Sequence, residues 1–352
     1  MTRPGNPCVH CGICLSACPT YRLDKEEAES PRGRLMLMDA LANGEATPGE
    51  VRPHLDRCIG CRACESVCPS GVAYGERLEE ARRRLGGPRR PLAFVLRQIV
   101  KRPRPIVALA RLLGLAPPRP AAEAWPTPPA RPKARIALHL GCVTPHLYPG
   151  LVSDTAHLLT HLGYAVESPA GQTCCGALLR HAGLDAAGCE ERNAKAFLGF
   201  DAVVSPASGC STTAGITDVC RLLARELPLS GARLPPVRVA FDPPCHLLHG
   251  QRVDATPLLR AIDGVTLVPL DGASDCCGAG GIYMESQRGF ALRVRAPKLD
   301  AILRSGAEVV ATANPGCMLW LWRGLKAGRA IEVVHPVSLL RRALSPRDPA
   351  RA

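Results

Sequence analysis

Eight of the eighteen cysteines fall in two runs of identical spacing. Cys8, Cys11, Cys14 and Cys18 precede Pro19, and Cys58, Cys61, Cys64 and Cys68 precede Pro69; each run reads C-x2-C-x2-C-x3-C-P. Three thiolates this close can wrap one iron–sulfur core, while the x3-Pro turn carries the fourth away to complete the other core. The spacing predicts one 4Fe-4S cluster on Cys8, Cys11, Cys14 and Cys68, and a second on Cys58, Cys61, Cys64 and Cys18. Zinc also takes four thiolates, but usually from pairs rather than triplets closed by Cys-Pro. Two such clusters pass single electrons, and no substrate-binding group accompanies them, so this stretch reads as a wire.

A second set of cysteines is doubled. "QTCCGALL" (172–179) and "SDCCGAGG" (274–281) each hold adjacent cysteines followed by glycine. Neighbours in sequence cannot easily bridge, because a disulfide needs Cβ atoms that face each other at a set distance. Each pair belongs to a repeat. One copy runs from "RIALHLGC" through the first pair to "DAVVSPASGC"; the other runs from "VRVAFDPPC" through the second pair to "EVVATANPGC". The copies supply Cys142, Cys174, Cys175 and Cys210, and Cys245, Cys276, Cys277 and Cys317. Adjacent cysteines point in different directions and so could serve different metal ions of one cluster. The following glycine would let the backbone turn closely around it. These eight are candidate ligands of a further Fe–S cluster or of zinc, with buried structural cysteines as the plain alternative. "CCGAGG" is expected to close around a core better than "CCGALL", where Leu178 and Leu179 follow at once. His246, beside Cys245, is a candidate ligand or supporting group. Cys189 and Cys220 lie outside both patterns and read as buried apolar residues.

The elements that position these residues follow from periodicity and punctuation. The 39 residues between the first two runs are too many for a compact hairpin. Ser30 is a plausible N-cap, Pro31 fits a first turn and Gly44 a stop. "PGEVRPHLDR" and "YGERLEEARRRLGG" also read as helices, so both clusters are expected between helices. In the repeats, Ile136 to Leu140, Ala202 to Val204, Val237 to Phe241 and Val309 to Ala311 are short apolar runs suited to parallel strands covered on both faces. Helical stretches alternate with them, a doubly wound α/β pattern whose strand ends face a crevice. The expected fold class is α+β and multidomain: an all-α two-cluster domain over 1–85, a basic Pro/Arg-rich linker with short helices over 86–134, and tandem α/β repeats over 135–232 and 233–345.

Composition narrows the function. The net charge is +13 over 352 residues, and residues 82–135 alone hold fourteen Lys or Arg against one acid, Glu123. With the charge confined there and aromatics at 4%, a nucleic-acid-binding surface is not expected. A chain this long does not need disulfide staples. No signal peptide precedes Cys8 and no apolar run reaches the roughly 18 residues of a membrane span, so a reducing cytoplasm is the expected compartment. The stretch 91–115 mixes apolar residues with Arg and Lys, which suits docked helices or peripheral attachment to the inner face of the cell membrane. No G-x-G-x-x-G with a following acid is present, no flavin or nicotinamide site is legible, and no catalytic residue is assigned.

The doubled-cysteine repeats resemble the cysteine-rich domains of heterodisulfide reductase, anaerobic glycerol-3-phosphate dehydrogenase and lactate-utilisation subunits. Combined with "CVHCGICLSACPTY", "SPRGRL", "LDRCIGCRACESVCPSGVAYGERLEEAR", "DPPCHLLHGQ", "ANPGC" and "HPVSLL", the set is similar to the iron–sulfur subunits of bacterial glycolate oxidase. The resemblance implies a helical ferredoxin domain and an electron-transfer subunit. It also implies a FAD-containing partner that oxidises glycolate to glyoxylate, with quinone as acceptor; a heterodisulfide-reductase-like, lactate or glycerol-3-phosphate subunit is the alternative. Fuller versions of the repeat motif end C-x2-C, whereas Thr213 and Trp320 stand at those positions here.

Overall fold

The computed structural model describes residues 7–118, 122–326 and 331–345; residues 119–121 of the basic linker lie outside them. The chain is α+β, a helical N-terminal part followed by two small parallel sheets.

The N-terminal helices form where their caps predict. Ser30 accepts from the Gly33 amide and Gly44 ends the helix Pro31–Asn43 in the left-handed conformation. Thr47 and Glu50 close a capping box on the helix Pro48–Asp56. With Tyr74–Arg84 these helices bury Leu35, Met38, Val51, Leu55 and Leu78. The short helices Cys14–Ala17 and Ala63–Ser66 carry cysteines of the two runs against this core.

The repeats are built alike. Strands β1 (Arg135–Leu138), β2 (Ala165–Glu167), β3 (Ala202–Ser205) and β4 (Ile216–Asp218) form a parallel sheet in the order β2-β1-β3-β4. Strands β5 (Arg233–Phe241), β6 (Asp263–Leu267), β7 (Val309–Ala311) and β8 (Glu332–Val334) repeat it as β6-β5-β7-β8. Sequence reading found the inner strands and missed the edge strands β4 and β8, whose Asp218 and Glu332 leave no wholly apolar run. One apolar core runs through both sheets, from Leu138 and Val204 to Val239 and Leu340. The helices Pro149–His161 and Pro336–Leu344 tie the copies together, with Ser338 donating to Asp154 at 2.5 Å.

The basic stretch is more ordered than its prolines suggest. It forms helices Arg90–Lys101 and Pro103–Leu112, whose Leu96 and Val107 are buried. The Trp125 indole N–H then pins the proline-rich part to the Val166 carbonyl at 2.9 Å. No helix among the described residues is long and apolar enough to cross a membrane.

The helical part docks mainly on the second repeat. Ile59 packs into the core around Cys276, Cys277 and Trp320, and burying such a side chain is worth roughly 1.5–3 kcal/mol. A Cβ on Gly280 would stand 2.9 Å from Ile59 Cγ2 and 3.2 Å from its carbonyl, so this close approach requires glycine. Arg22 pairs with Asp275 at 2.6 Å and Arg293 with Asp24 at 2.5 Å. The first repeat makes a smaller contact, with Arg82 donating to the His181 carbonyl and His181 lying 2.6 Å from Glu79.

Candidate metal centres

All eighteen cysteines are unbridged. In the helical part their side chains frame two pockets. Cys8, Cys11, Cys14 and Cys68 line one, a partly open hollow with Leu35 and Val72 behind them. Cys18, Cys58, Cys61 and Cys64 line the other, and Cys64 also reaches the wall of the first. The last cysteine of each run thus stands among the first three of the other run. Among the described residues no three His, Cys, Asp or Glu side chains converge as a single metal ion requires. Four thiolates around each open space are the donor set that a 4Fe-4S cluster takes, so the residues present fit such a group.

The two pockets differ in surroundings. Cys11 is exposed, whereas Cys18, Cys58 and Cys64 are buried. Val9 and Ile13, either side of Cys11, are also exposed, as is Met36 next to Leu35. The inner pocket is walled by Thr20, Arg34, Arg62 and Tyr74. Burial pushes the Cys64 thiol well up, and the neighbouring Cys58 adds to it. Cys61 is pushed up by burial and then by Cys245, which places the inner pocket beside the second repeat.

The repeat cysteines gather as their spacing predicts. In the first copy Cys142, Cys174, Cys175 and Cys210 form a row of thiol contacts; in the second Cys245, Cys276, Cys277 and Cys317 do the same. In each row the second cysteine of the pair is held well below the usual thiol range. For Cys175 the cause is hydrogen bonding from Cys174 and Cys210, and for Cys277 from Cys276 and Cys317. The backbone N–H groups of Ala177 and Ala279 reinforce this, while the Gly176 and Gly278 amides donate to the first cysteine of each pair, at 3.4 Å from Cys174 Sγ and 3.3 Å from Cys276 Sγ. Gly176 and Gly278 adopt φ of 85° and 84°. Added Cβ atoms there would strike Ala186 Cβ at 2.9 Å and the Ala291 carbonyl at 2.7 Å, so these turns need glycine.

Leu178 and Leu179 do not crowd the first pair, contrary to expectation. They enter the helix Ala177–His181, where Leu179 is buried in a satellite core and Leu178 reaches across to Gly281 of the second copy. Thr213 donates to the Cys175 carbonyl at 3.1 Å, and the Trp320 indole lies against Gly278. The residues standing in the C-x2-C positions therefore both pack on the doubled-cysteine loop.

Other groups shape the loops. Asn193 clamps the first, accepting from the Thr173 amide at 2.8 Å and donating to the Cys174 carbonyl at 2.9 Å. Lys298 clamps the second, donating to the Gly272 and Ala273 carbonyls at 2.6 and 3.0 Å while pairing with Asp242 at 2.9 Å. Neither residue was singled out in the sequence; both sit mid-helix with no motif around them. His246 turns its Nε2 to the Gly60 carbonyl at 3.2 Å, which spends that nitrogen on the helical part. Cys220 is fully buried in the apolar core, as expected. Cys189 is not a plain core residue: it is half-buried and packs on the first row, where Cys175 and Cys142 add to burial in pushing its thiol up. Only the fold brings it there.

Comparison with known proteins draws these features together. Residues 5–72 match the 4Fe-4S dicluster domain, and residues 136–214 and 239–322 match the cysteine-rich domain. The chain is 33% identical to the glycolate oxidase iron-sulfur subunit of Escherichia coli (strain K12), over 96% of this chain and 93% of that one. It is 32% identical to the probable glycolate oxidase iron-sulfur subunit of Bacillus subtilis (strain 168), over 95% and 92%. The chain belongs to the glycolate oxidase iron–sulfur subunit family. A more distant similarity, 27% over 96% of this chain and 72% of the relative, is to one of the subunits of the fumarate reductase (CoM/CoB) of Methanothermobacter marburgensis. The dicluster and cysteine-rich domains of this family fit an electron-transfer role.

Proposed function

We propose that the chain is the electron-transfer subunit of a glycolate-oxidising complex, receiving electrons from a flavin-bearing partner and delivering them towards quinone. Cys8, Cys11, Cys14 and Cys68 would hold one 4Fe-4S cluster, and Cys18, Cys58, Cys61 and Cys64 the other. Each would supply one-electron storage and transfer; hydride chemistry belongs to the partner's flavin. The observation that carries the reading is the exchange of Cys18 and Cys68 between the two pockets, which ties the clusters into one folded unit.

The chain's own residues give the wire a direction. Val9, Ile13 and Met36 put exposed apolar surface beside the exposed Cys11, a face suited to the flavin-bearing subunit. The inner pocket abuts Cys245, so clusters held at the two pockets would lead from the outer face towards the second repeat. The repeat rows would hold further iron–sulfur or zinc, with Cys175 and Cys277 as the readiest thiolates. Near the quinone, helices Arg90–Lys101 and Pro103–Leu112 would rest on an anionic membrane surface. They expose Phe94, Val95, Leu109 and Leu112 among Arg90, Arg97, Lys101, Arg102 and Arg104, with no acid between them.

The test is co-expression with candidate flavoprotein subunits followed by glycolate-dependent quinone-analogue reduction. A stable complex that is active with glycolate, and loses activity when Val9 and Ile13 become Glu, is expected. Full activity of the flavoprotein towards quinone without this chain would overturn the reading.

A further inference from the structure

The inner pocket has a wall that the cluster ligands alone do not explain. Arg34 is 1% exposed and lies under the pocket, on the helix Pro31–Asn43. Its Nη2 donates to Glu29 Oε2 at 2.6 Å, its Nε to the His54 carbonyl at 2.8 Å, and its Nη1 to Thr20 Oγ1 at 3.0 Å. Nη1 also points at Cys18 Sγ, at 3.9 Å. On the other side, the buried Tyr74 hydroxyl donates to Cys58 Sγ at 3.5 Å. Glu29, itself 1% exposed, is met by Arg57 at 2.8 Å as well as by Arg34. The buried pair of Arg34 and Glu29 is formally neutral, Arg57 meets it from the surface, and the Arg34 guanidinium is its member nearest the sulfur.

A buried ion pair is weak grounds for stability, because desolvation offsets most of the attraction. What Arg34 and Tyr74 add is a fixed donor to each of two thiolates. Reduction adds a negative charge to a cluster, and hydrogen bonds to its sulfurs favour that charge. Thr20 contributes less: its single proton is shared between the Glu29 carbonyl at 3.2 Å and the Cys18 sulfur at 3.3 Å. At the outer pocket the cation is Arg32, which pairs with Glu27 at the surface, where water screens it.

The geometry points to Arg34 and Tyr74 as positioned donors that raise the reduction potential of the inner cluster, biasing an arriving electron towards the end that abuts the second repeat. This rests on the cluster assignment above. The step is a one-electron reduction of the inner cluster by the outer, with no bond made or broken.

The test is potentiometric titration of the reconstituted full-length protein, followed by electron paramagnetic resonance, with iron and sulfide counted in every sample. A Cys61→Ser variant identifies the inner wave. Arg34→Met is expected to lower that wave by about tenfold in the reduction equilibrium, about 59 mV for one electron, and to leave the outer wave in place. Tyr74→Phe, which keeps the ring and its packing, should move the same wave in the same direction by a few-fold. Arg34→Lys should return most of the loss. If Arg34→Met does not fold, Tyr74→Phe decides alone. Full clusters with an unmoved inner wave, or both waves moving together, overturn the inference and leave the cluster assignment standing. Wild-type protein that takes up no iron overturns both.

Discussion

Lys298 offers the sharpest check on how the second doubled-cysteine loop is held. The ammonium and its partner Asp242 are 2% and 1% exposed. Lys298 makes one ion pair and two bonds to loop carbonyls, at 2.9, 2.6 and 3.0 Å. Burial alone would pull the Lys298 ammonium down, and Asp242 more than offsets this, so it is held charged above its ordinary range. Lys298→Met leaves a carboxylate buried without its cation and two carbonyls without their donor. Breaking a buried pair in this way costs about 3–5 kcal/mol, a large part of the 5–15 kcal/mol typical of a domain. The loss falls first on the loop from Gly272 to Gly278, because it is the loop that the ammonium anchors.

Hydrogen–deuterium exchange reads that local loss directly. The Gly278 amide, now close to Cys276 Sγ, should exchange roughly 100- to 5000-fold faster in Lys298→Met. Lys298→Met/Asp242→Asn should recover much of the difference, since it removes the stranded charge. Asn193→Ala in the first copy removes neutral bonds only and should cost about 1–3 kcal/mol at the Cys174 loop. Exchange at Gly278 within about threefold of wild type, or a double variant no better than Lys298→Met, would refute the reasoning.

The remaining expectations concern metal and membrane. Anaerobically purified protein should hold about 8 iron atoms from the N-terminal pair, and Cys11→Ala or Cys61→Ala should remove one cluster and stop electron delivery to an artificial acceptor; a fully active double variant would sink the wire. Sedimentation with anionic vesicles should show salt-sensitive binding, at about 1 kcal/mol per basic residue near the surface; binding indifferent to charge reversal at Arg102 and Arg104 rules the basic helices out. Cys174→Ser and Cys276→Ser should each lower total metal, and Cys189→Ser should lower it only if that thiol joins the first row; metal content equal to wild type in all three means these cysteines are not ligands.

The cysteines that carry the candidate chemistry were legible because their spacing is the signal. Three thiolates within seven residues and a doubled pair after a strand are local patterns, and the fold only had to bring the groups together. What sits around them was not legible, for a physical reason that Arg34, Lys298 and Cys189 share. Each reaches its partner from a helix, at no fixed distance in sequence from the group it faces. Arg34 reaches Cys18 across sixteen positions, and Lys298 reaches the Gly272 and Ala273 carbonyls across about twenty-five. Both are charged residues that a hydropathy pattern assigns to the surface, and both are buried because a partner on another segment meets them. The missed strands β4 and β8 follow the same logic. Neither is a wholly apolar run, since Thr217 and Asp218 stand in β4 and Glu332 in β8, and their conformation is set by pairing with β3 and β7. Likewise, the expectation that Leu178 and Leu179 would crowd the first pair treated a tertiary question as a local one. The left-handed turn at Gly176 starts a helix that carries both leucines away. A ligand can thus be read from its neighbours in the chain, whereas the groups that would tune it can be read only from its neighbours in space. That is why the inner cluster's proposed donors, Arg34 and Tyr74, emerge from the fold although their motifs, "SPRGRL" and "VAYGERL", were already in view.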